Sequence, residues 1–468
     1  MVKRHLGVVG MGVMGKNLAL NAESKGFSAA GFDIDPEKTK KVAAEVAGKE
    51  ITVTNSLADF VAALERPRRI LLMVPAGKAV DAVLKDLKPH LEKDDIVIDG
   101  GNSYFKDTER RVKELEESGL RLFGMGVSGG EEGALHGPSL MPGGHEESYR
   151  HLEPLLTKMA AQTSDGACCT YLGPRGAGHY VKMVHNGIEY GILQIICEFY
   201  DIFKNVLRLS TPEIHHFFSE WNATDLNSYL LEITTLVLGK KDDATGQPLV
   251  EMILDEAQQK GTGKWTAQDS MDLGVAVPTL AYAVEARILS GQKEERVAAA
   301  EILSGPKEIF SGDLFGFINQ MREAYRIAVA VCYAQGFEQL RVASNEYQYN
   351  LNFAEIARIW KGGCIIRSKM LDPIQQAFVT DSTRPNLMLA PTFSSIINKH
   401  SPSLRQVVKG AIDVGTPCVA LSTSLGYIDS YRQERLPANL LQALRDCFGA
   451  HTYHRTDKQG VFHTEWAK

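Results

Sequence analysis

The amino-acid sequence predicts an α/β N-terminal domain with a doubly wound parallel sheet, followed by a large all-α domain and a C-terminal tail. Up to about residue 177, short apolar segments alternate with helix-like segments, which is typical of a parallel sheet covered by helices on both faces. Strand patterns then disappear, and amphipathic helix patterns follow one another. We therefore expect domains at 1–177 and 178–433, and a tail at 434–468.

Composition and charge limit the classes of protein that fit this sequence. Its 468 residues are 44% hydrophobic and 23% charged, which is typical of a globular protein with two or three domains. A net charge of −6 without a sustained basic run argues against nucleic acid or an anionic membrane as the main partner. Without a signal-peptide pattern or a long apolar stretch, we expect a cytoplasmic location. Seven cysteines, an odd number, favour reduced thiols, and without a metal-ligand spacing we expect no metal.

A glycine-rich turn joins the first strand to the first helix. Apolar residues from Leu6 lead into it, and the helix-like segment Lys16–Ala22 follows. Gly10 permits a tight turn, Gly12 lets the backbone approach a pyrophosphate, and Gly15 lets the helix pack on the strand. The helix N-terminus then attracts the phosphates. This context predicts a Rossmann-type dinucleotide site with cofactor contacts at Gly10, Met11, Gly12, Val13, Met14 and Gly15.

An acidic residue ends the predicted second strand, Ser28–Phe32. At this position Asp33 is expected to bond the adenosine ribose 2′-hydroxyl and to repel a 2′-phosphate. Ile34 and Asp35 follow as further candidates for cofactor contacts, and no arginine is present to meet that phosphate. The charge pattern therefore predicts NAD as the preferred cofactor, while Lys38 nearby leaves NADP possible.

Strands and helices continue to alternate along the N-terminal domain. Strands are predicted near 70–74, 96–99 and 120–126, and helices near 36–46, 77–87 and 105–118. Ligands of such sheets gather at the carboxyl ends of the strands. The loops at these ends contain cofactor candidates at Val74, Pro75, Ala76 and Asn102. Ser128, Gly129 and Gly130 predict a nest of backbone N–H groups for a carboxylate, although a plain turn fits the same residues.

A polar stripe on an apolar helix is the main catalytic candidate. Lys182, His185, Asn186, Glu189 and Tyr190 are spaced so that all five share one helix face. Apolar residues cover the other sides, which predicts a mostly buried helix. A buried amine and carboxylate must be paired or face a polar ligand, so an internal ion pair is one interpretation. The imidazole, amide and phenol beside them favour a cavity wall that binds an oxygen-rich molecule and moves its protons.

Cationic and aromatic segments follow in the helical part and the tail. The loop-like segment Lys260–Trp265 predicts a phosphate cradle. Arg287 lies in a largely apolar helix, where it needs an anionic ligand or a salt bridge. The aromatic residues of the tail must pack on a second subunit or on their own domain. A Leu-x-x-x-Glu-Ile pattern at Leu209–Ile214 and Leu351–Ile356 leaves an internal duplication open.

Several longer motifs resemble those of the 6-phosphogluconate dehydrogenases, in the same order and over nearly the full chain. The motifs span Gly10–Gly15, Val127–Ala134, Gly137–Gly144, Lys182–Tyr190, Gln259–Trp265 and Phe448–Tyr453. The resemblance implies a metal-independent homodimer of the pentose phosphate pathway and of gluconate utilisation. Its expected reaction is oxidative decarboxylation of 6-phosphogluconate to ribulose 5-phosphate with reduction of NAD or NADP.

The same resemblance implies a role for each candidate residue. Lys182 would be the general base and Glu189 the acid that protonates C1 of the enediol. The sugar acid would be held by Asn102, Ser128, Gly129, Gly130, His185 and Asn186, and the phosphate by Tyr190, Lys260, Thr262 and Arg287. Arg445 and His451 would enter the active site of the partner subunit.

Three positions depart from the pattern of the family. Asp33-Ile34-Asp35 stands where Asn-Arg-Ser or Asn-Arg-Thr is usual, and Val74-Pro75-Ala76 stands where Val-Lys-Ala is usual. Both departures remove a cation near the cofactor, which favours NAD. Ile192 replaces a usual aspartate beyond the stripe.

Two other functions fit parts of the pattern. A β-hydroxyacid dehydrogenase acting on a smaller, unphosphorylated acid would share the stripe lysine, but it would not need the cations at Lys260, Arg287 and Arg445. A dinucleotide-binding protein without catalytic activity is the other alternative. It would have no need to retain both Lys182 and Glu189.

Overall fold

The computed structural model describes residues 2–306 and 309–467. A seven-stranded sheet forms the centre of the N-terminal domain, in the order β3-β2-β1-β4-β5-β6-β7. The strands are β1 Leu6–Val9, β2 Ala29–Phe32, β3 Ile51–Thr54, β4 Arg69–Leu72, β5 Ile96–Asp99, β6 Arg121–Ser128 and β7 Ser139–Gly143. Strands β1 to β6 are parallel, and the order reverses between β1 and β4, where dinucleotides bind in such sheets. The predicted doubly wound fold class is confirmed.

Two strands of this seven-stranded sheet were absent from the sequence prediction. β3 is an edge strand of four residues, of which only Ile51 is fully buried, so it lacks a continuous apolar run. β7 pairs antiparallel with β6, with Met125 opposite Pro142. Proline and glycine in β7 hide the strand pattern, and an edge strand tolerates a proline. The prediction of a parallel sheet therefore fails at this edge.

Helices cover both faces of the sheet. They are α1 Val13–Ser24, α2 Pro36–Glu45, α3 Leu57–Ala62, α4 Lys78–Leu87, α5 Phe105–Glu116, α6 Gly130–His136, α7 Glu146–Tyr149 and α8 Glu153–Met159, with a 3₁₀ turn at Lys88–His90. Apolar residues of α1, α2, α6 and α8 pack on one face, and those of α3, α4 and α5 pack on the other. Strand residues alternate between these cores, because successive side chains point to opposite faces. A short hairpin, β8 Gln162–Thr163 and β9 Gly166–Ala167, follows.

The remainder of the chain is helical. The helices are α9 Ala177–Asp201, α10 Thr211–Asn222, α11 Tyr229–Gly239, α12 Thr262–Asp272, α13 Pro278–Ser290, α14 Lys293–Ile302, α15 Leu314–Glu346, α16 Phe353–Ile359, α17 Leu371–Thr380, α18 Pro391–Asp413, α19 Val419–Tyr431 and α20 Ala438–Gly449. A π turn at Ile202–Val206 extends α9, and 3₁₀ turns lie at Leu249–Met252 and Leu387–Leu389. In the described ranges, no helix is long and apolar enough to cross a membrane.

Two long helices, α9 and α15, form the centre of this part and pack against each other. Both are apolar on most sides and therefore largely buried, as expected for interior helices. Each is followed by a short capped helix: Ser210 precedes α10 with a capping box, and Asn352 caps α16. The duplication stays a prediction, and this order of helices agrees with it.

Candidate active site

The glycine-rich turn has the geometry of a dinucleotide cradle. Gly10 adopts a φ of +91°, and a methyl group added there would lie 2.5 Å from the carbonyl oxygen of Met73. One added at Gly15 would lie 2.0 Å from the carbonyl oxygen of Gly10. At Gly12, by contrast, it would meet no atom within 4 Å, because this residue faces an open cleft at the N-terminus of α1. The close approaches explain Gly10 and Gly15, and the open space at Gly12 fits a pyrophosphate.

The cleft beside this turn has a volume of about 900 Å³ and runs along the switch point of the sheet. Among the predicted cofactor residues, it is lined by Gly10, Gly12, Asp33, Ile34, Val74 and Pro75. Ala76 is exposed on the loop after β4, while Met11 is buried below the turn and Val13 is half exposed on α1. Met14 is partly buried on the same helix. The structure thus brings the loop after β2 and the loop after β4 to the same cleft as the glycine-rich turn.

Asp33 is held in place before any ligand binds. Its Oδ2 accepts a hydrogen bond from the Met11 amide at 2.8 Å, and its Oδ1 accepts one from the Asp35 amide at 3.0 Å. The ammonium of Lys38 lies 3.4 Å away. Ile34 beside it is 88% exposed. Asp35 was assigned to the cofactor, but its carboxylate instead caps α2 by accepting from two backbone amides.

Asn102 is exposed at the end of β5 in a loop that Asp99 organises. The carboxylate of Asp99 accepts from the Ser103 hydroxyl at 2.6 Å and from the Gly101 amide at 3.1 Å. The guanidinium of the fully buried Arg111 lies 3.5 Å from it. Asn102 therefore lies at the carboxyl end of β5, the end of the strands at which ligands of such sheets bind.

The polar stripe of α9 is buried, as its spacing predicts. Lys182, His185, Asn186 and Tyr190 are all less than 9% exposed. Hydrogen bonds link the stripe to its neighbours in a continuous chain. His185 Nε2 lies 3.3 Å from the Ser128 hydroxyl, His185 Nδ1 lies 2.9 Å from Asn186 Oδ1, and Asn186 donates to the Thr262 hydroxyl at 2.9 Å. Four predicted substrate residues from three elements thus meet in one place.

Lys182 has neither an ion pair nor a hydrogen bond to any residue in the described ranges. Glu189 instead has its closest basic contact with His185 Nδ1, at 3.9 Å. The internal Lys–Glu ion pair, which the sequence left open, is therefore not formed. Burial lowers the pKa of Lys182, and the nearby carboxyl of Glu189 and thiol of Cys364 oppose this only in part. Burial also raises the pKa of Glu189, against the opposing effects of Lys182 and Arg287.

A cationic pocket lies at the far end of the stripe. The Arg287 guanidinium stacks on the Tyr190 ring at 3.4 Å from its centroid. Within the described part of the chain it has no carboxylate partner, and its nearest acceptor is the Gln258 carbonyl oxygen at 3.5 Å. Thr262 opens α12, whose N-terminus favours anions. Lys260 is exposed just before it. This combination suits a phosphate group.

Two glycine-containing segments each lead into a helix. Lys260–Trp265 was predicted as a loop, but the loop ends at Gly261, whose φ of +99° turns the chain into α12. Gly263 lies inside this helix, and a methyl group added there would lie 2.4 Å from the Tyr190 ring. The close contact explains why this position has no side chain. Gly129 and Gly130 both have positive φ and lead into the short helix α6. Their backbone amides thus lie beside Ser128, where the carboxylate nest was predicted.

The structure does not bring Arg445 and His451 to the stripe of the same chain. Arg445 is exposed on α20 and bonds to Gln442, and His451 is exposed and packs on Phe448. The tail folds around Asp446, which accepts hydrogen bonds from the backbone of Thr452 and Thr464 and from the side chains of His463 and Trp466. Burial alone would raise the pKa of Asp446, but these bonds hold it below its usual value.

The segment at 360–367 contributes site residues that the sequence analysis missed. Trp360 packs edge-on against the His185 ring at 5.5 Å, and the Ile365 amide lies 3.4 Å from the Ser128 hydroxyl. Cys364 is buried near Lys182. The signal in the sequence was a Gly-Gly pair between two helices, and the φ of Gly363 is +62°. In the part of the chain that the structure describes, no cluster of three potential ligands for a metal ion is present.

Comparison with known proteins agrees with this geometry. Residues 5–173 match the NAD binding domain of 6-phosphogluconate dehydrogenase, and residues 178–466 match its C-terminal domain. The Synechococcus elongatus protein named 6-phosphogluconate dehydrogenase, decarboxylating, is 56% identical over 470 residues, with 100% of both chains covered. The Bacillus subtilis protein named 6-phosphogluconate dehydrogenase, NADP(+)-dependent, decarboxylating, is 52% identical over 469 residues, again with 100% of both covered.

A solved structure supports the same assignment. Plasmodium falciparum 6-phosphogluconate dehydrogenase, determined in its apo form, with NADP+ and with 6-phosphogluconate, superposes with a TM-score of 0.94 at 42% identity. The match covers 98% of this chain and 100% of that one. The resemblance seen in the motifs is thereby confirmed, and the chain belongs to the 6-phosphogluconate dehydrogenase family.

Proposed function

We propose that this chain oxidises and decarboxylates 6-phosphogluconate to ribulose 5-phosphate and CO₂, with NAD(P) as hydride acceptor, as a step of the pentose phosphate pathway. The observation that carries the proposal is Lys182, a buried amine without a partner among the described residues, on the same helix face as Glu189. Both groups have pKa values displaced toward their neutral forms, as a base and an acid of this reaction require. They lie between a dinucleotide cleft and a cationic pocket.

The residues of the stripe act in a defined order. Neutral Lys182 takes the proton of the C3 hydroxyl at its Nζ, and the bound nicotinamide supplies the acceptor for the hydride of C3. The 3-keto acid then loses CO₂, while the Lys182 ammonium stabilises the developing enolate oxygen. Lys182 returns its proton to this oxygen, which gives the enediol. Glu189 then protonates C1 while the hydroxyl proton passes back to Lys182, which leaves the ketone. Burial raises the pKa of the Glu189 carboxyl, which favours the protonated form that this step needs.

Substrate binding follows from the two ends of the stripe. The amides of Gly129 and Gly130 and the hydroxyl of Ser128 receive the carboxylate, and His185 and Asn186 hold the hydroxyl groups. The phosphate is held by Tyr190, Lys260, Thr262 and Arg287. An unphosphorylated β-hydroxy acid would leave this cationic pocket unused, which favours the sugar phosphate.

We further propose a homodimer whose two active sites are shared. In the single chain, apolar residues of the tail are exposed to water: Leu440 is 62% exposed, Leu441 60% and Phe448 76%. A contiguous apolar surface of this kind is expected to pack on a second copy. Such packing brings Arg445 and His451 to the partner subunit's substrate pocket, where two more donors bind the substrate.

NAD is the preferred cofactor in this proposal. The Asp33 carboxylate lines the cleft and holds the nearby Lys38 ammonium, so this cation is already neutralised where a 2′-phosphate would lie. Ile34 and Pro75 add no positive charge. The Bacillus subtilis relative is named NADP(+)-dependent, so the preference for NAD rests on Asp33, Ile34 and Pro75 of this chain and not on its relatives.

Turnover of 6-phosphogluconate tests the proposed reaction. The purified protein is incubated with NAD or with NADP, and reduced cofactor, ribulose 5-phosphate and CO₂ are measured together. We expect the three products in equal amounts. Unphosphorylated 3-hydroxy acids serve as alternative substrates. If neither cofactor supports turnover of 6-phosphogluconate, or if only the smaller acids react, the proposal is wrong.

A substitution at the end of β2 tests the cofactor preference. Wild-type protein is expected to have a higher kcat/KM with NAD than with NADP. The double variant Asp33→Asn/Ile34→Arg should raise the NADP/NAD ratio of kcat/KM by about tenfold to a hundredfold, at roughly 1.4 kcal/mol per tenfold. The matched control is Asp243→Asn, which removes the same charge from an exposed residue outside the cleft and should leave the ratio unchanged. An unchanged ratio in the double variant would contradict the assignment.

A further inference from the structure

The first turns of α9 lie directly on the backbone of β6 and β7. A methyl group added at Gly178 would lie 2.2 Å from the carbonyl oxygens of Gly124 and Met141, and one at Gly143 would lie 2.3 Å from the Gly178 amide nitrogen. Layers of secondary structure usually pack through their side chains, and two sheets stacked face to face lie about 10 Å apart. Here helix and strands touch without intervening side chains, so the helix is closer to the sheet than alanine would allow.

Gly124 and Gly126 both face α9, because alternate residues of a strand share one face. A methyl group at Gly124 would lie 2.7 Å from Nδ1 of His179 and 2.7 Å from Cγ2 of Thr108, which are outer atoms of two side chains. At Gly126 it would lie 2.4 Å from Cβ of Lys182 and 3.2 Å from Cβ of Met141. A Cβ atom is fixed to the backbone, so no rotamer change relieves this second overlap. Either the helix or the strand must move.

We propose that Gly126 is a positioning residue for Lys182, and that its missing side chain sets the depth at which the amine stands beside the end of β6. The inference rests on the proposed function, in which Lys182 is the base. Two residues further along the same strand face, Ser128 contacts His185, one helical turn beyond Lys182. β6 therefore determines how closely both Lys182 and His185 approach the strand. A methyl group at Gly126 would separate α9 from β6 at the first of these contacts.

Displacement of α9 has two consequences for the base. First, the amine moves relative to the substrate held by β6 and α12, and a misplacement of about 1 Å is enough to lower the rate by about 100-fold. Second, water enters between strand and helix, which weakens the burial that favours neutral Lys182. The titratable groups that face the amine are His185 and Glu189 on α9 and Cys364 on the segment at 360–367.

The variant Gly126→Ala tests this role through kcat and its pH dependence. We expect kcat to fall about 100-fold, while KM for the nicotinamide cofactor changes little, because neither Gly126 nor Lys182 lines the cleft at β1 and β4. A neutral amine is needed, so kcat/KM falls as pH drops through the pKa of Lys182. In the variant this acid limb should shift to higher pH, because a more hydrated amine has a higher pKa. Wild-type kcat with an unshifted acid limb would overturn the proposal.

Two further comparisons separate positioning from folding. The control Gly426→Ala adds the same methyl group inside α19, where it would meet no atom within 4 Å, and should leave kcat and the acid limb unchanged. If Gly126→Ala does not fold, the same methyl is tested in the Lys182→Gly background, which removes the opposing Cβ. The double variant should then have the same Tm as Lys182→Gly alone. A Tm clearly below it would overturn the proposal.

The result for Lys182 itself distinguishes this inference from the proposed function. If Lys182→Met is inactive and Gly126→Ala behaves like wild type, the positioning role alone is wrong. If Lys182→Met retains activity, the role of Lys182 as the base fails, and with it the basis of the inference.

Discussion

Lys182→Met is expected to lower kcat by a factor on the order of 10³ to 10⁴, while 6-phosphogluconate still binds. Methionine fills a similar volume and cannot accept a proton, so the C3 hydroxyl is left without a base. The substitution also removes a buried amine that has no ionic partner among the described residues, so the folded state should be at least as stable as wild type. Steady-state kinetics give kcat, calorimetric titration gives the Kd for substrate, and thermal unfolding gives Tm.

The control for this substitution is Lys113→Met, because Lys113 is exposed on α5. This control also replaces a lysine by a methionine, and it should leave kcat unchanged. Activity of Lys182→Met within tenfold of wild type would refute the role as base. Loss of both folding and substrate binding would also count against it, because the buried amine would then be structural.

Removal of the tail after Arg435 is expected to abolish efficient turnover and to weaken the dimer. The truncation removes Arg445 and His451, two donors to the substrate in the proposed shared site. Each hydrogen bond to a charged group contributes about 1.5–3 kcal/mol, so kcat/KM for 6-phosphogluconate should fall by about 10² to 10⁴. It also removes the exposed apolar residues of α20, so sedimentation should show more monomer.

A complementation experiment sharpens this test. Arg445→Ala alone should lose most activity but keep the dimer, since the apolar tail remains. Lys182→Met and Arg445→Ala are then mixed after mild dissociation and reassembled. In the mixed dimer, one site combines Lys182 from one subunit with Arg445 from the other, so about a quarter of wild-type activity should return. A fully active truncated monomer, or no recovery in verified mixed dimers, would contradict the shared site.

Local patterns were sufficient for the features that depend on neighbouring residues. The stripe on α9 could be predicted because helix periodicity alone places Lys182, His185 and Glu189 on one face. The dinucleotide turn could be predicted because strand, glycines and helix follow one another within a short segment. The confirmed fold class rests on the same kind of information.

Features that depend on distant residues were missed or assigned differently. β7 is a strand only because β6 pairs with it, and the segment at 360–367 reaches the site only because the helical domain folds back onto Ser128. Asp35 is a local exception. It caps α2 through two nearby amides, although its position in the sequence suited a cofactor contact equally well. Each of these outcomes depends on which groups compete for the same hydrogen bonds.

The ionic partner of Lys182, the proposed base, could not be predicted from the sequence. Residue types and spacing establish that an amine and a carboxylate share a helix face, but they leave open whether the two form an ion pair. In the folded chain, Lys182 is buried against Gly126 without a partner in the described ranges, and Glu189 approaches His185 instead. Burial, and not periodicity, displaces both pKa values. Desolvation arises from all the surrounding elements together, so it is a property of the packed molecule.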